Sequence, residues 1–155
     1  MPAPNRLLKE FRDVKAGKTD PDVALNLADE TDIFVWKAHL KGPEGTPYEG
    51  GTFELSLKCP ATYPLEPPKV TFVTPVFHPN VLFKTGEICL DILKPASWTP
   101  AWTLENVCVA VRLLLSSPED GADSPLNCDC GAPPHAARKA ARRTASSRRL
   151  DGHRR

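Results

Sequence analysis

The sequence predicts an α+β fold: an amphipathic N-terminal helix, a four-stranded antiparallel meander, and a second helix buried against the sheet. Three observations predict it. Leu7, Leu8, Phe11 and Val14 recur at helical spacing near the start of the chain. Four short runs between residues 23 and 72 alternate apolar with polar side chains and are joined by turn-length links, the pattern of antiparallel strands with one buried face. Residues 104–115 are apolar on nearly every side, which suits a helix packed into a core. At 155 residues the chain is one domain, long enough to bury such a core.

Each element has its own signal. Pro4 and Asn5 open the first helix, and Arg6, Lys9, Arg12 and Lys15 fall away from its apolar face, where composition alone reads them as solvated. Residues 16–21, with Gly17 and Pro21, end it. Val23, Leu25 and Leu27 mark one strand, and Phe34, Trp36, Ala38 and Leu40 share a face of the next, opposite Lys37 and His39. A Gly- and Pro-rich connection follows, then Phe53, Leu55 and Leu57, and then Val70 and Phe72. Between these last two strands, residues 63–68 carry three prolines, which fix the backbone and remove donors, so a rigid exposed loop is expected, with Tyr63–Pro64 a candidate cis bond. A second Pro-containing loop spans 98–102, Thr103 is placed to cap the apolar helix, and Ser116-Ser117-Pro118 ends it.

The overall net charge of +1 conceals two segments. Residues 1–130 hold 12 Lys/Arg against 18 Asp/Glu, whereas residues 131–155 hold 8 basic residues against Asp151 alone. The N-terminus lacks the apolar run of a signal peptide, and no stretch reaches transmembrane length. Five cysteines (Cys59, Cys89, Cys108, Cys128, Cys130) form no disulfide framework, which favours reduced thiols in the cytosol. Cys128 and Cys130 have no second ligand pair, so no metal site and no cofactor is expected.

The chemistry concentrates between His78 and Trp98. The run reads His78-Pro79-Asn80, then Gly86-Glu87-Ile88-Cys89-Leu90-Asp91-Ile92-Leu93. No second Cys or His lies within three residues of Cys89, so neither a metal pair nor a CxxC redox pair forms locally. Two readings stay open on the residues: a thiol nucleophile for acyl transfer, with Asn80 available to an oxyanion, or a small inert side chain in the core. Cys108, inside the apolar helix, reads as inert core.

Taken in order, Tyr63-Pro64-x-x-Pro67-Pro68, His78-Pro79-Asn80, the Gly86–Leu93 run and Trp98-Thr99-Pro100-Ala101 resemble the ubiquitin-conjugating enzymes over residues 5–127. Most members place seven residues between the Asn and the Cys; here residues 81–88 make eight. That longer spacing and Ser124-Pro125-Leu126-Asn127 are similar to the peroxisomal branch of the family, the fourth peroxin type.

The resemblance implies that Cys89 takes ubiquitin from an activating enzyme as a thioester and passes it to a substrate with a ligase, in an ATP-dependent pathway. It implies an oxyanion role for Asn80, a structural turn at His78 and Pro79, and supporting roles for Leu90 and Asp91. Arg6 and Lys9 match positions that meet the activating enzyme. Leu65, Pro100 and Ala101 match the two loops that meet ligases, commonly of RING type, with Leu65 replacing a common Phe. Many relatives carry an Asp just before the later Pro-Leu that orients the attacking lysine. Here Ser124 stands there with Asp123 beside it, which fits transfer to a cysteine, as in modification of a peroxisomal import receptor. The same branch implies a membrane-anchoring peroxin and a place on the cytosolic face of the peroxisomal membrane. The rival readings are a generic cytosolic conjugating enzyme and a scaffold of the same fold that carries no ubiquitin. Cys89 and Asn80, which such scaffolds typically lack, favour the enzyme. A nucleic-acid partner is not expected.

The resemblance also implies two C-terminal helices, but after Asn127 no apolar stripe appears, and from Gly131 onward Leu150 is the only large aliphatic residue. The helices are therefore expected to be missing or replaced. The division expected is a conjugating core over 1–130 and a disordered Ala/Arg/Ser-rich tail over 131–155.

Overall fold

The computed structural model describes residues 2–117. Helix α1 (Ala3–Lys15) begins with Pro4 in its first turn, where a missing N–H breaks no helical bond. Leu7 is fully buried, and Phe11 and Val14 are partly so. Leu8 departs from expectation: it is 41% exposed, because one step along a helix turns the side chain by about 100°. The buried face is completed instead by Glu10, three residues after Leu7. Gly17, at φ +73°, closes the helix by donating its N–H to the Val14 carbonyl.

Strands β1 (Val23–Asp29), β2 (Asp32–Lys41), β3 (Thr52–Lys58) and β4 (Lys69–Phe72) form one antiparallel sheet in sequence order. The register turns the alternation of the sequence into rows that cross the sheet. Leu25, Ala38, Leu55 and Phe72 are successive partners, as are Leu27, Trp36, Leu57 and Val70. All of these are buried except the half-buried Leu27, and each large side chain contributes about 1.5–3 kcal/mol relative to exposure. Phe11 of α1 meets Trp36 edge-on, with ring centroids 6.0 Å apart.

Helix α2 (Leu104–Ser116) begins at the expected cap. Thr103 Oγ1 accepts from the Asn106 N–H (3.1 Å), and Asn106 Oδ1 accepts from the Thr103 N–H (3.1 Å), so two otherwise orphaned donors are satisfied. Leu104, Val107, Cys108, Val111, Leu114 and Leu115 are buried, and the helix packs on β1 and β2. Its polar side carries Arg112, which pairs with Asp22 (2.8 Å) and donates to the Lys41 carbonyl (2.9 Å).

The loop between β3 and β4 does contain a cis Tyr63–Pro64 bond. It is less exposed than its composition suggests, since Tyr63 is 1% exposed and Pro64 is buried. Only its tip projects, with Leu65 74% exposed. The expectations for the missing helices and the disordered tail lie outside the described residues. Among the described residues, no helix is long and apolar enough to cross a membrane.

Candidate active site

Beyond β4 the chain abandons long elements and is held by short-range bonds. His78 and Val81 bridge, and so do Val81 and Ile88. The Cys89 N–H donates to the Asn80 carbonyl (2.8 Å), and the Leu82 N–H donates to the Glu87 carbonyl (2.8 Å). Residues 80–89 are thus a hairpin, with Asn80 and Cys89 facing each other across its base. The tip closes through the Gly86 N–H to the Leu82 carbonyl (2.7 Å). With eight residues between Asn80 and Cys89, the two are still paired through backbone at the base.

Gly86 is required at the tip for two reasons. Its φ is +74°, and a Cβ there would lie 2.0 Å from the Phe72 carbonyl oxygen. The Gly86 carbonyl in turn accepts from the Phe72 N–H (2.8 Å), which docks the hairpin on β4. Phe83, 40% exposed, stacks on Phe77 with centroids 4.1 Å apart.

Beneath the hairpin sits His78, 1% exposed. Its Nδ1 accepts from the Asn80 N–H (3.0 Å), so the proton is on Nε2, which donates to the Leu114 carbonyl of α2 (2.8 Å). Burial lowers its pKa to about 4, partly opposed by the bond to Leu114. The ring is neutral at pH 7 with both nitrogens committed to backbone, so it braces the hairpin against α2. Asn80 is fully buried, Leu90 is 5% exposed, and Pro79 is half-buried.

Three cysteines are described, and their environments differ. Cys59 and Cys108 are buried, and desolvation pushes each thiol up to about 12. Cys89 is only half-buried and borders an open groove lined by Val70, Ile88, Leu93, Lys69, Glu87 and Lys94. Asp91 is exposed and pairs with Lys94 at 2.7 Å. The charged rim of Lys69, Glu87 and Lys94 was not anticipated in the sequence, because only the β4 docking brings residue 69 beside residue 89. Among the described residues no cluster of His, Cys, Asp or Glu has the makings of a metal site.

The two loops expected to meet ligases are joined. The Trp98 indole N–H donates to the Pro64 carbonyl (2.8 Å), and the Trp98 and Tyr63 rings lie 6.2 Å apart. Leu65, Pro100 and Ala101 remain exposed. On α1, Lys9 is exposed, but Arg6 is turned inward rather than solvated. Its Nε donates to Glu10 (2.7 Å), its NH2 group donates to the Trp102 carbonyl (2.8 Å), and its guanidinium lies over the Tyr63 ring. Asp123 and Ser124 lie outside the described residues.

The α+β core thus leaves Cys89, alone of the three described cysteines, open to a groove at the base of a braced hairpin. The sequence matches the ubiquitin-conjugating enzyme family over residues 6–148, past the point where its motifs end. It is 58% identical over 127 residues to Protein PEROXIN-4 of Arabidopsis thaliana, covering 81% of this chain and 78% of that one. It is 53% identical over 126 residues to Ubiquitin-conjugating enzyme E2 pex4 of Dictyostelium discoideum, covering 81% and 82%. Against Ubiquitin-conjugating enzyme E2 16 of Schizosaccharomyces pombe the identity is 44% over 124 residues, covering 80% and 76%. The chain belongs to the ubiquitin-conjugating enzyme family. Membership makes ubiquitin, an activating enzyme and a ligase its partners.

Proposed function

We propose that Cys89 carries ubiquitin as a thioester. The Cys89 thiolate attacks the carbonyl carbon of the thioester held by the activating enzyme, a new C–S bond forms, and the donor thiol leaves. An acceptor thiol or amine then attacks the Cys89 thioester, and Cys89 is released. Exchange between thiols needs no adjacent base, which agrees with a His78 whose nitrogens are both occupied. The observation that carries the reading is the contrast among the described thiols: Cys89 alone of the three is both open to a groove and paired through backbone with Asn80.

Asn80 supplies a side-chain donor to the developing oxyanion, and the intact Asn80–Cys89 pairing supports that role despite the longer spacing. Lys9, on the exposed side of α1, meets the activating enzyme, with Arg6 ordering that corner from beneath. Leu65, Pro100 and Ala101 meet a RING-type ligase. The relatives named peroxin-4 and pex4 support a role in peroxisomal import, in which an import receptor is ubiquitinated and a peroxin holds this chain at the membrane. Transfer to a cysteine acceptor rests on Ser124 and Asp123 in the sequence.

A loading assay with activating enzyme, ATP and ubiquitin tests the reading. A thiol-sensitive adduct absent from Cys89→Ala is expected; an adduct of equal yield in that variant contradicts it. Faster discharge to free cysteine than to free lysine is expected, and a strong lysine preference contradicts the cysteine acceptor.

A further inference from the structure

Glu10 is a carboxylate with 6% exposure that no step of the transfer uses. Its Oε1 accepts from Arg6 Nε (2.7 Å) and from the Tyr63 hydroxyl (2.7 Å), and its Oε2 accepts from the Leu104 N–H (2.8 Å). These donors belong to three separate pieces of chain. Arg6 is on α1 beside Lys9, Tyr63 opens the loop whose tip is Leu65, and Leu104 begins α2 directly after the loop of Pro100 and Ala101. Arg6 closes the circuit by donating to the Trp102 carbonyl (2.8 Å), and Trp98 joins the two loops through Pro64.

We propose that Glu10 is a positioning residue for partner docking: its carboxylate fixes α1 and the two loops in the single arrangement on which the activating enzyme, and after it the ligase, engages this chain. The inference rests on the proposed loading of Cys89. Three charge-assisted bonds to one buried carboxylate resist displacement, because breaking any one leaves a polar group unsatisfied in the interior. A hydrophobic contact in the same place would hold the three pieces together but leave them free to slide. The bonds fix direction as well as distance. None of the three donors lines the groove at Cys89, so the reactive thiol is set by the hairpin and the docking surface by Glu10.

The two functions therefore separate by experiment. Initial rates of Cys89 loading are measured against the concentration of this chain, with activating enzyme, ATP and ubiquitin fixed, for wild type, Glu10→Gln and Tyr63→Phe. Alkylation of Cys89 by iodoacetamide is followed in the same samples by peptide mapping. Gln keeps the shape but offers one acceptor oxygen in place of two. Phe removes a single hydroxyl and leaves the other two bonds, so it tests the idea in a folded chain even if Glu10→Gln folds poorly. The expected result is a rise in KM of about 5- to 10-fold for Tyr63→Phe and more for Glu10→Gln, with saturated turnover and alkylation within about 2-fold of wild type. Unchanged KM in both variants overturns the inference. So does an equal fall in loading and alkylation, which marks general structural damage. Failure of the wild-type chain to load at all counts against the reading of Cys89, whereas wild-type loading with indifferent variants counts against Glu10 alone.

Discussion

The hairpin at residues 80–89 and helix α2 each contain a cysteine, and the two thiols have opposite fates. Cys108 sits on the buried side of a capped helix, fully covered, its thiol pushed up to about 12 by desolvation. Cys89 follows the isolated bridge at Ile88, its N–H donates to the Asn80 carbonyl, and it lines an open groove. The residue type is the same. What differs is that the helix satisfies its own backbone and presses one face, Cys108 included, into the core, while Leu113, expected in that core, stays 59% exposed. The hairpin is supported from beneath by His78 and Gly86, and among the described residues its Cys89 side stays open. A reactive group needs a rigid support that does not also enclose it.

The largest effect should appear in thiol labelling. A thiol pushed to about 12 holds roughly one thiolate in 100,000 at pH 7. Iodoacetamide should therefore modify Cys89 in the native chain while Cys59 and Cys108 react only after denaturation, as read by peptide mapping. Equal native labelling of Cys108 and Cys89 would break the contrast. Next, Asn80→Ala should lower the rate of thioester formation and discharge by about 100- to 1000-fold, with circular dichroism confirming a folded chain at 25 °C. A loss below 10-fold would reduce Asn80 to a structural element of the hairpin.

His78 joins the two regions, and its linkage to pH gives a third test. Its folded pKa is depressed to about 4 against a usual 6.5, so between those values the unfolded chain binds more protons. The stabilisation from the neutral ring is complete above pH 6.5 and is lost as pH falls toward 4, by about 3 kcal/mol. Urea denaturation at pH 7 and pH 4.5 should show a smaller pH-dependent loss in His78→Gln than in wild type. Identical losses would remove His78 from the account. The smallest effect should come from the far end of α2, where Thr103→Ala removes one half of the capping box and lowers stability by about 1 kcal/mol in the same measurement. Because the cap is remote from the hairpin in the bonding pattern, Cys89 labelling should not change.

The fold was legible where one periodicity was clean. Alternation at Phe53, Leu55 and Leu57 needs no tertiary information to mark a strand with one buried face, and Thr103 ahead of an apolar run marks a helix start. Leu8 was misread because four apolar residues near one another look like a single face, although only Leu7, Phe11 and Val14 share it. Glu10 was missed for a related reason. It lies three residues after Leu7 and four before Val14, in the middle of the buried stripe, and a charge at that position is itself the signal for a buried partner. Its partners, Tyr63 and Leu104, are 53 and 94 residues away, so no local pattern names them. At the site, the spacing of Asn80 and Cys89 was visible, but the docking of the hairpin through Gly86 on Phe72 was not, because it is a contact between separate segments.

The claim that one thiol carries the acyl group is tested most directly by replacing its sulfur with oxygen. The loading reaction is run on wild type and Cys89→Ser, each split between thiol and alkali before mapping of the attachment site. Wild type should give an adduct on the Cys89 peptide that thiol cleaves, and Cys89→Ser an adduct on the same peptide that resists thiol but is hydrolysed by alkali. A thiol-sensitive adduct that persists in Cys89→Ser and maps to another cysteine would contradict it.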